Sequence, residues 1–289
     1  MYSYHIEMID WEKEYKDLID VVDFTESKLI PTDLHIKALY EYFHSKNSPG
    51  YTEVNNWLWM ASSLKNVVFC EVPDKYTYFF NTSEIEHEEK KQMLHHNLIN
   101  ELTKLLYLNN GFEALLNTFT MPECPNHKGK INAVNYLIKE KALPSLPFYK
   151  ETLGNLRECL ERSSLKKFIN YFKEDSCSNI NGVGLKIVYI IKNKLAHFDY
   201  QNPEPGDWSH DLPLESEITK LLSRISLMTI QMMLLANNKG KYDKLVLVDS
   251  KVIEYDEETE WKIDEFTFLW SVHVTKQEQS KIQMEIKFD

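Results

Sequence analysis

Arginine is nearly absent from this chain. Arg157, Arg162 and Arg224 are the only three among 33 basic residues, which face 44 acidic ones for a formal net charge of −11. Non-specific coating of nucleic acid requires a local excess of cations and is excluded as a general property of the surface. Two options stay open: a small basic pocket that takes a short, presented stretch of RNA or a nucleotide, and an acidic surface that meets a basic protein. Asn and Ile are abundant while Arg is scarce, a compositional bias that matters at one motif position below.

Turn formers are also few. Eight glycines and ten prolines in 289 residues disfavour a turn-rich all-β fold and favour long helices. The four cysteines, Cys70, Cys124, Cys159 and Cys177, are scattered without paired spacing. Free thiols in a reducing compartment are the simplest reading. The opening MYSYHIEMIDWEKEY has no apolar stretch of the signal-peptide kind. The longest apolar runs read as too short to span a bilayer. The expectation is a cytoplasmic protein without membrane contact.

What is present is apolar material for a sizeable core, at 43% hydrophobic and 12% aromatic residues. Residues 1–30 are ambiguous and form an N-terminal extension. From 31 to 240 the pattern is that of a helical bundle. Pro31 stands at a helix start, and Leu34, Ile36, Leu39, Tyr40 and Phe43 repeat behind it at helical spacing. Residues 51–69 predict a second helix, whose Trp57-Leu58-Trp59-Met60 cluster is expected in the core. A stretch near 74–82 reads as loop or short strand. A long helix is expected from about Ser83 to Thr118, with an acidic first turn that suits the helix dipole. Gly111 would kink this helix or let a neighbour pack closely. Residues 121–130 read as a loop. Helices follow at 131–141, 148–173, about 184–197 and 214–237. Asn181-Gly-Val-Gly184 reads as the turn that starts one of them, because it lacks the Lys-Ser/Thr of a phosphate loop.

Beyond residue 240 the composition shifts to β-branched and aromatic residues. LVLVDSKVIEY, FTFLWSVHV and IQMEIKF predict a small three-stranded antiparallel β unit, a C-terminal appendage at 241–289. The acidic YDEETEW (255–261) would be its hairpin turn. The fold class is therefore mainly α: an up-and-down helical bundle with a small C-terminal antiparallel β unit.

Two metal-like signals are weak. Cys124 and His127 supply two ligands with no second pair nearby. His95 and His96 are adjacent and point to different helix faces. No metal site is expected.

The chemistry concentrates near the end of the helix at 184–197. Ile187, Val188, Ile191, Leu195 and Phe198 form an inward stripe. Lys186, Tyr189, Asn193 and His197 lie on the other side within an arc of roughly 80°. Lys192 flanks that arc and Lys194 borders it. His197 would sit in the last turn, where the helix terminus favours imidazolium while a nearby ammonium opposes it. A cation, an amide, a phenol and an imidazole on one face suit acid–base work on an anionic substrate. The same set is also common on an ordinary solvated helix end.

The string Lys192-Asn193-x-x-Ala196-His197 resembles the motif of the HEPN superfamily (higher eukaryotes and prokaryotes nucleotide-binding). In that family four to six residues separate an Arg, often followed by Asn, from a His; here four residues separate Lys192 from His197. GFEALLNTF (111–119) is similar to an earlier core helix of such bundles. The resemblance implies a HEPN-like bundle acting as a metal-independent endoribonuclease in toxin–antitoxin or phage-defence systems, with no cofactor. It implies a homodimer that sets two motifs face to face, RNA as substrate, and an antitoxin or defence protein as partner. By that likeness His197 is the general acid or base, Lys192 stabilises the phosphoryl group, and Asn193 orients the histidine. Lys186, Tyr189 and Lys194 would contact substrate. The chain departs from the family at Lys192, whose point charge lacks the two-pronged grip of guanidinium. The alternatives are a non-catalytic bundle that binds RNA, a nucleotide or a protein, and an interaction protein in which 192–197 is incidental.

Overall fold

Pro31 opens the first helix, α1 (Thr32–Lys46). The computed structural model describes residues 27–65, 67, 82–119, 129–140, 145–172, 180–196, 214–238, 242, 244–248 and 260–286. In α1 the buried side chains are His35, Ile36, Leu39, Tyr42 and Phe43, whereas Leu34 faces outward. The helix stops at Asn47 in the left-handed region (φ 42°), a conformation Asn tolerates better than most residues. A 3-10 turn, Pro49–Tyr51, then leads into α2 (Thr52–Ser63). Val54, Leu58 and Ala61 are the inward face of α2. Trp59 is not in the core as expected: it is 56% exposed.

The long helix α3 (Thr82–Thr118) packs against α2. At Gly111 the two helices pack tightly, since a Cβ there would lie 3.3 Å from Trp57 Cβ. Close packing therefore accounts for this glycine. α4 (Lys130–Glu140) and α5 (Tyr149–Glu161) follow. The helix expected at 148–173 is divided. After α5 the chain turns at Arg162–Leu165, where Leu165 N–H donates to Ser163 Oγ (3.1 Å), and continues as the 3-10 segment Lys166–Phe172. Leu153, Leu156, Leu160, Leu165 and Phe168 are all buried despite that break.

α6 (Ile180–Ala196) begins four residues before the position expected for it. The expected start-turn glycine, Gly184, is instead a packing residue inside the helix. A Cβ on it would meet Tyr149 Oη at 2.4 Å and Ile225 Cγ2 at 2.8 Å. At the centre stands α7 (Glu215–Asn237), in which every residue from Leu221 to Ala236 is buried. α1, α3, α4, α5 and α6 all lean on it. A helix that is apolar all round belongs in such a place. By length and composition α7 could cross a membrane, contrary to the expectation that no segment could. Its apolar window has a mean hydropathy of 1.3 and is 94% buried inside the fold, so core packing accounts for the run.

The three-stranded C-terminal unit is not what forms. β1 (Lys244–Val248) pairs antiparallel with β2 (Glu260–Asp264), Leu245 opposite Ile263. The other two expected strands are helices: FTFLWSVHV enters α8 (Glu265–Ser271) and IQMEIKF enters α9 (Lys276–Ile286). Asp264 makes the switch by accepting the N–H of Thr267 (3.0 Å) as a helix cap. Behind the cap the side chains meet at helical spacing. Phe266 stacks on Trp270 with centroids 5.7 Å apart, and Phe268 and Val272 point inward. Phe268, Leu269 and Val272 join the same core as α7. Leu29 bridges Val274, and Ile30 N–H donates to His273 O (3.0 Å), which ties this segment to the entry of α1. The chain is thus mainly helical, built round α7.

Candidate functional site

Which face of α6 is inward follows from its period, and the structure agrees with the stripe. Leu185, Ile187, Val188, Ile191 and Leu195 are 3% exposed or less. Phe198 lies outside the described residues. The opposite face carries half-buried Lys186, Lys192 and Asn193, with Tyr189 and Lys194 exposed. α6 ends at Ala196. His197 lies outside the described residues, as do Asp199 and Tyr200.

Lys192 is partly withdrawn from water. Its ammonium stands 5.4 Å from the centre of the Tyr189 ring, within cation–π range. Burial holds its pKa below the ordinary lysine value, and the Glu113 carboxylate on α3 opposes that shift. A partly dehydrated ammonium interacts more strongly with a nearby anion than one in bulk water. Glu113 escaped the sequence reading. It lies inside GFEALLNTF, next to the inward Phe112 and Leu116, and only the packing of α3 near α6 makes it a neighbour of Lys192.

Beside this face is a dimple lined by Asn109, Phe112 and Glu113 of α3, Ile131 of α4, Val188 and Tyr189 of α6, and Ser226 of α7. Its volume is about 10 Å³, near the minimum for one water molecule. A substrate of any size would lie across the surface here rather than inside the bundle.

Cys159 is buried, and that burial pushes its thiol up to about 12, so it is no nucleophile near neutral pH. Cys70, Cys124, His127 and Cys177 lie outside the described residues. Among the described residues no three His, Cys, Asp or Glu side chains cluster as metal ligands would. His95 is buried and His96 half-buried, on different faces of α3. Comparison with family models, with curated proteins and with solved structures returned no match.

Proposed function

We propose that the chain is a HEPN-type, metal-independent endoribonuclease of the toxin–antitoxin or phage-defence kind, working as a homodimer. The observation that carries this reading is Lys192: a half-buried ammonium over Tyr189, on the polar side of a core helix, five residues before His197. RNA brings its own nucleophile, so the protein has two tasks. His197 takes the proton of the ribose 2′-OH while the 2′-oxygen attacks phosphorus, and the 5′-oxygen of the next nucleotide leaves with a proton. Lys192 stabilises the charge that builds on the non-bridging phosphoryl oxygens. Asn193 holds the imidazole or a phosphate oxygen, and Lys186, Tyr189 and Lys194 guide the strand.

A second reading is favoured by the same residue. Lysine stands where the family carries arginine, and a point charge grips phosphate less well than guanidinium. The protein would then bind RNA, a nucleotide or a protein partner without cutting. Incubation of the purified chain with total RNA in excess EDTA separates the two. Cleavage that His197→Ala abolishes supports the nuclease. Retained, uncut RNA or nucleotide supports the binder.

A further inference from the structure

A groove of about 550 Å³ lies between the end of α1 and the outer face of α2. This volume falls in the usual range for a small-molecule site. One wall is formed by Tyr40 and His44, a turn apart on α1, whose rings stack with centroids 5.7 Å apart and planes at 26°. On the other helix stands Trp59, 56% exposed, a large indole that the core does not use. Asn55 and Asn56 line the groove from the same face of α2, and Asn47 lines it from the turn. Asn55 Oδ1 is buried and has no hydrogen-bond partner. That atom is closed even to water, so a molecule in the groove meets the exposed amides of Asn47 and Asn56 instead.

The chemistry of the lining narrows what fits. Lys, Arg, Asp and Glu are absent from it, so no fixed cation draws a phosphate or a carboxylate into it. Aromatic faces on two helices suit a flat ring, and amides suit the donor and acceptor edge of that ring. We infer that this groove is a nucleobase site, in which an amino-bearing base stacks against Trp59 and the Tyr40–His44 pair and turns its amino edge to the exposed amides of Asn47 and Asn56. The base reaches it either on a free nucleoside or splayed from a single strand whose phosphates stay outside. The inference does not rest on the reading of 192–197.

Saturation-transfer difference NMR on the full chain tests it, with adenosine, cytidine, purine riboside, a short single-stranded RNA and maltotriose as probes. Adenosine and cytidine are expected to receive saturation mainly on their base protons. Trp59→Ala, at an exposed position, is expected to weaken them at least tenfold with an unchanged circular dichroism spectrum. Asn56→Leu, also at an exposed position, is expected to weaken adenosine at least fivefold while leaving purine riboside, which lacks the amino group, within twofold. A gain for the oligonucleotide over adenosine identifies a strand as the source of the base, and equal affinity identifies a free nucleoside. Binding of maltotriose alone, no transfer to any nucleoside, or transfer that Trp59→Ala leaves intact would each overturn the proposal. His197→Ala is expected to leave all these signals unchanged, so this site and the nuclease reading fail separately.

Discussion

His35 and His273 stand 5.8 Å apart, ring centre to ring centre, with the amide of Gln231 joining them. Every hydrogen in this chain has one possible direction. His273 Nε2–H must donate to the Pro147 carbonyl (2.9 Å), so its Nδ1 accepts from Gln231 Nε2 (3.0 Å). Gln231 Oε1 then accepts from His35 Nε2–H (2.8 Å), and His35 Nδ1 accepts from Arg224 Nη1 (3.2 Å). Both imidazoles are therefore neutral, and a proton added to either would set donor against donor. The chain ties α1, α7 and the α8–α9 turn together.

Acid should loosen this junction before the carboxylates titrate. Burial holds His273 down at about 4, with Arg224 adding to the effect and the Pro147 carbonyl opposing it. Burial, then Arg224 and His273, hold His35 well below the ordinary histidine value. A folded-state pKa below the unfolded value of about 6.5 means that the unfolded chain binds more protons between the two. The stabilisation is complete above about pH 6.5 and is lost as pH falls toward 4. For His273 alone the loss is about 3 kcal/mol at the bottom of that window. Urea midpoints at pH 7.5, 6.0 and 5.0 should fall in order, and a flat profile would show that the histidines are not buried as neutral rings.

Gly184 and Gly154 make a matched pair. Alanine at 184 drives a methyl into Tyr149 Oη and Ile225, and overpacking of this kind costs about 1–3 kcal/mol. At 154, in the middle of α5, nothing lies within 4 Å of the new methyl. There alanine should stabilise by about 1 kcal/mol through helix propensity. Thermal unfolding of the two variants should move in opposite directions.

Glu265 is buried, and its partners include Lys46 Nζ at 2.9 Å, Tyr42 Oη at 2.5 Å and Asn238 Nδ2 at 3.2 Å. Lys46→Met removes an opposing charge from this buried carboxylate. Loss of one partner of a buried pair costs about 3–5 kcal/mol. Lys46 retains 18% side-chain exposure, so the lower end, about 3 kcal/mol, is expected in a denaturant titration. Lys37→Met, at an exposed pair with Glu41, should change stability by less than about 1 kcal/mol.

Much of the helical core was legible because burial repeats at 3.6 residues. The stripe of Ile187, Val188, Ile191 and Leu195 came from that period, and α7 from its long apolar run. The C-terminal segment was misread because aromatic and β-branched content was weighed above spacing. The pairs Phe266–Trp270 and Phe268–Val272 are four apart, and Asp264 is a cap. Contacts across elements left no local trace. Nothing in the neighbourhood of Gln231 announces two histidines from elsewhere in the chain, and Glu113 meets Lys192 only through the packing of α3 beside α6. Trp59 shows the reverse limit, since an aromatic residue on a helix reads as core until the opposite face is found to fill it.

The nuclease reading is tested most directly at its imidazole. Purified chain, His197→Ala, Lys192→Ala and Lys192→Arg would be incubated with labelled single-stranded RNA in excess EDTA, and products separated by length. The expected result is cleavage by the native chain that falls at least a hundredfold in His197→Ala and Lys192→Ala and is kept in Lys192→Arg. Equal cleavage by the native chain and His197→Ala, or none by any of the four, would contradict it.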